Sequence, residues 1–192
     1  MKRNKGFTLV ELLVVTAIIG TLASIVLVSF KAAREKAYAT RVKAEIREIT
    51  YALELYFMDN DYQYPCDVSR DLPPGLEKYL STSPNWPKAP WPGSVYDWDY
   101  WSPDPSSTGG CAGNLAFDPK DQSVYQLSIR FCDISGLNCN FPNESWAANF
   151  DSQSSVYWCI KGPCRAHGSK EYDHPGCCIG GVCPIDQPSC EF

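Results

Sequence analysis

Residues 5–30 read KGFTLVELLVVTAIIGTLASIVLVSF, and the single charge inside that run governs how the rest of the chain is read. From Phe7 to Phe30 nearly every position is apolar or small, and the exception is Glu11. About 20 apolar residues, at 1.5 Å per helical residue, cross the roughly 30 Å hydrocarbon layer of a bilayer, so the run is expected to be a membrane-spanning helix. A carboxylate in such a helix costs about 2.5 kcal/mol or more at the bilayer centre and somewhat less near an interface, so Glu11 needs a cation. Lys2, Arg3 and Lys5 place this end on the cytoplasmic side by the positive-inside tendency. A secretory signal would have a shorter apolar core with its cut after the core. A plain anchor would leave Glu11 without a reason.

The helix is expected to run on past Phe30. Residues 31–58, KAAREKAYATRVKAEIREITYALELYFM, contain no Gly or Pro and set Tyr38, Val42, Ile46, Ile49, Leu53 and Tyr56 at steps of three or four, one face of a helix. Asp59-Asn60-Asp61 breaks that period and Tyr64-Pro65 stops the helix. Between Asp67 and Pro92 prolines surround one apolar stretch, Leu72 to Leu80, expected to form a turn or two of helix. Trp86 and Trp91 are read as packing against the core rather than as a sugar platform, because aromatics bury large areas.

Three strands are expected beyond this point. Residues 94–101, SVYDWDYW, put Tyr96, Trp98 and Tyr100 on one face with Asp97 and Asp99 on the other. Residues 123–131, SVYQLSIRF, alternate Val124, Gln126, Ser128 and Arg130 against Tyr125, Leu127, Ile129 and Phe131, and the second set should face the helix. A weaker third strand is expected over 155–160, SVYWCI.

All ten cysteines lie beyond the apolar run: Cys66, Cys111, Cys132, Cys139, Cys159, Cys164, Cys177, Cys178, Cys183 and Cys190. An even number outside the membrane implies disulfides in an oxidising compartment, with a connectivity that spacing does not settle. The eight from Cys132 onward fall in a stretch with little apolar mass, which is expected to be stapled. His167 and His174 lie near Cys164 and Cys177, but there is no C-x-x-C pair and export favours oxidation over zinc. The net charge of −5 becomes more acidic if Lys2, Arg3 and Lys5 are removed, so no nucleic-acid partner is expected. No G-x-S-x-G, H-E-x-x-H or phosphate-binding glycine loop occurs, and no enzyme activity is expected.

The octet Lys5-Gly6-Phe7-Thr8-Leu9-Val10-Glu11-Leu12 resembles the processing signal of type IV prepilins and type II secretion pseudopilins. The resemblance implies cleavage after Gly6 and methylation of Phe7 by a prepilin peptidase/methyltransferase. It also implies a charge pair in a filament between Glu11 of one subunit and the Phe7 amine of the next. Removing one partner of such a desolvated pair costs about 3–5 kcal/mol, which makes it a register device. The helix together with the YP…GL…WP…Y-x-L pattern of residues 64–127 is similar to major pseudopilins.

The implied fold is α+β, a long N-terminal helix packed on a small antiparallel sheet. A leader (1–6) and a membrane half (7–30) would precede a pilin-like head (31–131) and a Cys-rich C-terminal extension (132–192). The implied partners are other copies of the chain, an assembly platform, minor pseudopilins and the cytoplasmic membrane, with the head outside. Major pseudopilins commonly hold calcium in loops of the head, so Asp97, Asp99, Asp104, Asp118 and Asp121 are candidate ligands, although none has EF-hand spacing. Two other readings stay open. One is a type IV pilus subunit serving adhesion, motility or DNA uptake; the other is a filament-borne adhesin whose tail would use Trp146, Tyr157 and Trp158 as contacts.

Overall fold

The computed structural model describes residues 6–81, 86–101, 124–161, 176–181 and 189–190. The chain divides into two compact units, Met1–Ala39 and Thr40–Glu191. One helix, α1 (Leu9–Asp59), supplies most of the described first unit and the opening segment of the second. It runs as one helix through the residues that sequence periodicity had joined.

In the first unit the large apolar side chains described between Phe7 and Phe30 are 44 to 78% exposed. The small polar residues among them are satisfied within the helix. Thr16, Thr21, Ser24 and Ser29 donate their hydroxyls to the carbonyls of Leu13, Ile18, Gly20 and Ile25 at 2.9–3.1 Å. A hydroxyl bonded back to the preceding turn can enter lipid without an orphaned donor.

In the second unit Val42, Ile46, Ile49 and Leu53 are fully buried, as the step of three and four requires. They pack on a four-stranded sheet of β1 (Val95–Trp101), β2 (Val124–Arg130), β3 (Ser155–Lys161) and β4 (Gly176–Gly181), in that spatial order. The first three strands are antiparallel and set Trp98, Leu127 and Trp158 in one cross-strand row. Tyr96, Trp98, Leu127, Ile129 and Val156 make up the core on this side, all fully buried. Their polar tips find partners: Tyr96 donates to Glu45 Oε2 at 2.6 Å and Trp98 Nε1 donates to the Pro65 carbonyl at 3.0 Å.

Strand β4 was not foreseen. It runs parallel to β3, and its sequence, GCCIGG, carries neither alternation nor β-branched residues other than Ile179. Close approach explains the glycines. A Cβ on Gly181, where φ is +78°, would lie 1.8 Å from the Cys159 carbonyl oxygen, and one on Gly176 would lie 2.9 Å from that of Ser155. Covalent ties hold the strand as well: Cys177 is disulfide-bonded to Cys190, and Cys190 N donates to the Cys178 carbonyl at 3.1 Å.

A second disulfide, Cys132–Cys139, closes the loop after β2. Cys66, Cys159 and Cys178 are also disulfide-bonded, and no described cysteine is a free thiol. That removes Cys177 from any zinc site. Cys111, Cys164, Cys183 and both histidines lie outside the described residues. The stretch after Cys132 has more apolar mass than its composition suggests. Phe141, Trp146 and Phe150 join Trp91 and Phe131 in a cluster with ring centroids 5.6–6.4 Å apart. The expected helical piece near Leu76 is a short 3-10 helix, Leu76–Tyr79, and a second one, Ser145–Ala147, was not expected.

Candidate assembly site

The start of α1 is built by its own side chains. Gly6, Phe7 and Thr8 precede the helix in irregular backbone, and Thr8 occupies the cap position. Thr8 Oγ1 accepts from the Glu11 amide at 3.2 Å, while Glu11 Oε2 accepts from the Thr8 amide at 2.8 Å and from its hydroxyl at 2.7 Å. This is a reciprocal capping box, in which two of the free amides at a helix start find acceptors and a carboxylate sits at the positive end of the helix dipole. Glu11 was expected to need a cation. In the single subunit Thr8 already supplies it with donors, so any cation comes in addition. The T-x-x-E spacing was the signal that points to Thr8, and the reading of residues 5–30 passed over it.

At this end the backbone between Gly6 and Phe7 is open. A Cβ built on Gly6 meets nothing within 4 Å, and the Phe7 side chain is exposed. A new amine on Phe7 would therefore sit just before a capped helix whose following turns present mainly apolar surface.

In the second unit the sheet face turned away from the helix side chains carries the other candidate residues. Asp97, Asp99, Gln126, Ser128, Arg130 and Ser155 are all buried there. Asp99 Oδ2 accepts from Gln126 Nε2 at 3.1 Å and Ser128 Oγ at 3.0 Å, and Asp97 Oδ1 accepts from the Arg70 amide at 2.6 Å. Arg130 donates through Nη1 to Ser155 Oγ at 3.1 Å and through Nη2 to Gln153 Oε1 at 3.1 Å. Burial pushes the Asp99 carboxyl up to about 6, against the opposing pull of Arg130, of the Gln126 and Ser128 bonds, and of Arg70.

The comparisons with known proteins bear first on the N-terminus. Residues 1–27 match the family model described as the prokaryotic N-terminal methylation motif. The chain is 40% identical over 65 residues to type II secretion system core protein G of Klebsiella pneumoniae, covering 34% of this chain and 46% of that protein. It is 43% identical over 61 residues to the type IV wide pilus major component PilA4 of Thermus thermophilus, covering 32% and 47%. With core protein G of Vibrio cholerae the identity is 31% over 116 residues, covering 56% of this chain and 77% of that protein. The chain belongs to the type II secretion system core protein G family. It spans a little under half the length of the first two relatives, and no solved structure matches.

For a core protein G relative the calcium candidates can be placed. Asp104, Asp118 and Asp121 lie outside the described residues. Asp97 and Asp99 stand on β1, as the alternation of residues 94–101 requires, and are fully buried, with Asp67 completing a trio whose ligand atoms fall within 4.8 Å of one another. Asp67 carried no sequence signal, since its approach depends on the turn after Pro65. Arg130 and Arg70 already act on Asp99 as neighbouring cations, and its Oδ2 is taken by two protein donors. The adhesin contacts of a core protein G head also change: Tyr157 is fully buried and Trp146 belongs to the aromatic cluster, so neither forms an open platform.

Proposed function

We propose that this chain is a structural, non-catalytic subunit of a type II secretion pseudopilus, cut after Gly6, methylated on Phe7 and polymerised through α1. The observation that carries this reading is a capped carboxylate at the head of an exposed apolar helix that continues into a folded, disulfide-bonded second unit. Such a helix is stable in lipid and stable again among copies of itself, so assembly exchanges bilayer for neighbours and the apolar surface never meets water. The capping box holds Glu11 at the helix start, where the Phe7 amine of an adjoining copy completes its charge balance.

The partners in this reading are a prepilin peptidase/methyltransferase, an assembly platform, minor pseudopilins and other copies of the chain. The subunit waits in the cytoplasmic membrane with its second unit outside. Mass spectrometry of the membrane-extracted chain should give an N-terminal methylated Phe7. Glu11→Ala should be processed normally but form fibres at least tenfold less often when counted by electron microscopy. An intact leader, or full fibre yield without Glu11, would remove the reading.

A type IV pilus subunit is the second reading, favoured by the 43% identity to the wide pilus component of Thermus thermophilus. Deletion of the chain separates them: loss of an exported enzyme from the medium marks secretion, and loss of surface filaments with secretion intact marks a pilus.

A further inference from the structure

The second unit carries two apolar patches that its fold leaves uncovered. On α1, Tyr51, Leu55 and Met58 recur at steps of four and three, and Tyr62 follows in the turn that ends the helix; all four are 50 to 74% exposed. They lie on the side of α1 opposite the buried residues Ile46, Ile49 and Leu53, where an amphipathic helix normally carries polar groups. The other patch is in the loop closed by Cys132–Cys139, where Ile134 and Leu137 are 77 and 84% exposed.

That loop is held in shape. The Asp133 carboxylate accepts from the Ser135 hydroxyl at 2.5 Å, from the Leu137 amide at 3.3 Å and from the Asn138 side chain, and the Asp133 amide donates to the Asn138 carbonyl at 3.1 Å. The two hydrophobic side chains therefore project from a stapled and hydrogen-bonded ring.

The patches sit at opposite ends of the second unit. Asn140, next to the ring, donates to the Pro92 carbonyl at 2.7 Å, at the end of the sheet where Tyr96 meets Glu45 and Arg41 reaches the Lys88 carbonyl. At the other end Tyr100 and Tyr125 stack, and Tyr125 packs on Tyr64, whose ring meets Phe57. From Glu45 to Phe57 the helix climbs roughly 18 Å at 1.5 Å per residue. Engaged once per neighbour, contact of one patch with the other is head-to-tail, and in a filament whose subunits share one direction it repeats into an open helix of copies.

Charge supports the match. Arg47 stands one turn before Tyr51 on the same side of α1, is exposed, and has no ion-pair partner among the described residues. Asp133 neighbours Ile134, and the bonds from Ser135 and Asn138 hold its carboxyl down to about 2, so it stays ionised.

We propose that Ile134 and Leu137 of one copy dock on Tyr51, Leu55 and Met58 of the next, with Asp133 facing Arg47. This rests on the filament reading and specifies where successive second units touch. The test uses the full chain expressed with its own assembly machinery, with Leu137 replaced by the photo-reactive benzoylphenylalanine. Irradiation should give a dimer whose cross-link maps to residues 51–58. Fibres that form but give cross-links only to other surfaces, or none, would overturn the docking.

Charge exchange supplies the second arm. Leu55→Lys and Leu137→Glu should each lower fibre count at least tenfold while processing at Phe7 and membrane insertion stay unchanged, and the double variant should recover most of the loss. If both single variants form fibres like the parent while Glu11→Ala does not, the docking fails and the filament reading stands. If the unsubstituted chain forms no fibres and no cross-linked dimer, both fall together.

Discussion

The two faces of the sheet are equally dry and differently made. Toward α1 lie Tyr96, Trp98, Leu127, Ile129 and Val156; on the other side lie Asp97, Asp99, Gln126, Ser128, Arg130 and Ser155, and every one of these residues is buried. The first face needs only shape and volume, because burial of apolar surface is non-directional. The second needs each charge to be answered by a donor or a counter-charge, because an unpaired buried ion is far more costly than a small void. The faces should therefore respond in opposite ways to the same degree of damage.

The largest effect is expected at Arg130. Arg130→Met preserves much of the side-chain bulk but removes the main cation acting on Asp99, together with the bonds to Gln153 and Ser155. Breaking a buried pair by deleting one partner costs about 3–5 kcal/mol. Thermal or urea unfolding of the full chain in detergent should show that loss at pH 7 and a smaller one at pH 5, where Asp99 can take up a proton instead. By contrast Ile129→Val, the neighbouring position on the other face, should cost only about 0.5–1.5 kcal/mol and be insensitive to pH.

Asp99 itself provides the next test. Its carboxyl is raised to about 6 from 3.8, so the folded state binds the proton more tightly than the unfolded chain does. The stability linked to that proton is fully present below pH 3.8 and is lost as pH rises through about 6. Asp99→Asn imitates the protonated form and should remove this dependence. The melting temperature of the parent minus that of the variant should fall between pH 4 and pH 7. A constant difference across that range would mean that Asp99 is not titrating in a buried layer.

Legibility from sequence follows the same division. The helix-facing side could be read directly, because period 3.6 in α1 and period 2 in β1, β2 and β3 are properties of local spacing. The same alternation set Asp97 and Asp99 on the opposite face, but nothing in SVYDWDYW says whether that face is wet or dry. Burial there depends on what covers it, including the turn that brings Arg70 N to Asp97, and Arg70 is 27 residues away in the chain. Strand β4 was hidden for a related reason. Its glycines and cysteines look like loop, and only the parallel pairing with Ser155, Tyr157 and Cys159 gives them a role. At the N-terminus the reading succeeded because the motif is contiguous. It fell short at Thr8, whose part is played by the same i to i+3 geometry that makes any capping box.

The smallest effect compares two deletions of a single hydroxyl. Tyr96→Phe removes the 2.6 Å bond to Glu45, but Glu45 is only partly covered and water can replace the lost donor, so the cost should be about 0.5–1.5 kcal/mol. Ser128→Ala removes the 3.0 Å bond to Asp99, which is fully buried and keeps its Gln126 donor at 3.1 Å. The carboxylate loses solvation that water cannot restore, and the expected cost rises to about 1–3 kcal/mol. Double-mutant cycles pairing Tyr96→Phe with Glu45→Ala and Ser128→Ala with Asp99→Ala isolate the two bonds. The second coupling energy should exceed the first. Equal couplings would mean that the outer face is as open to water as Glu45 is, and the division between the two faces would then lie in composition alone.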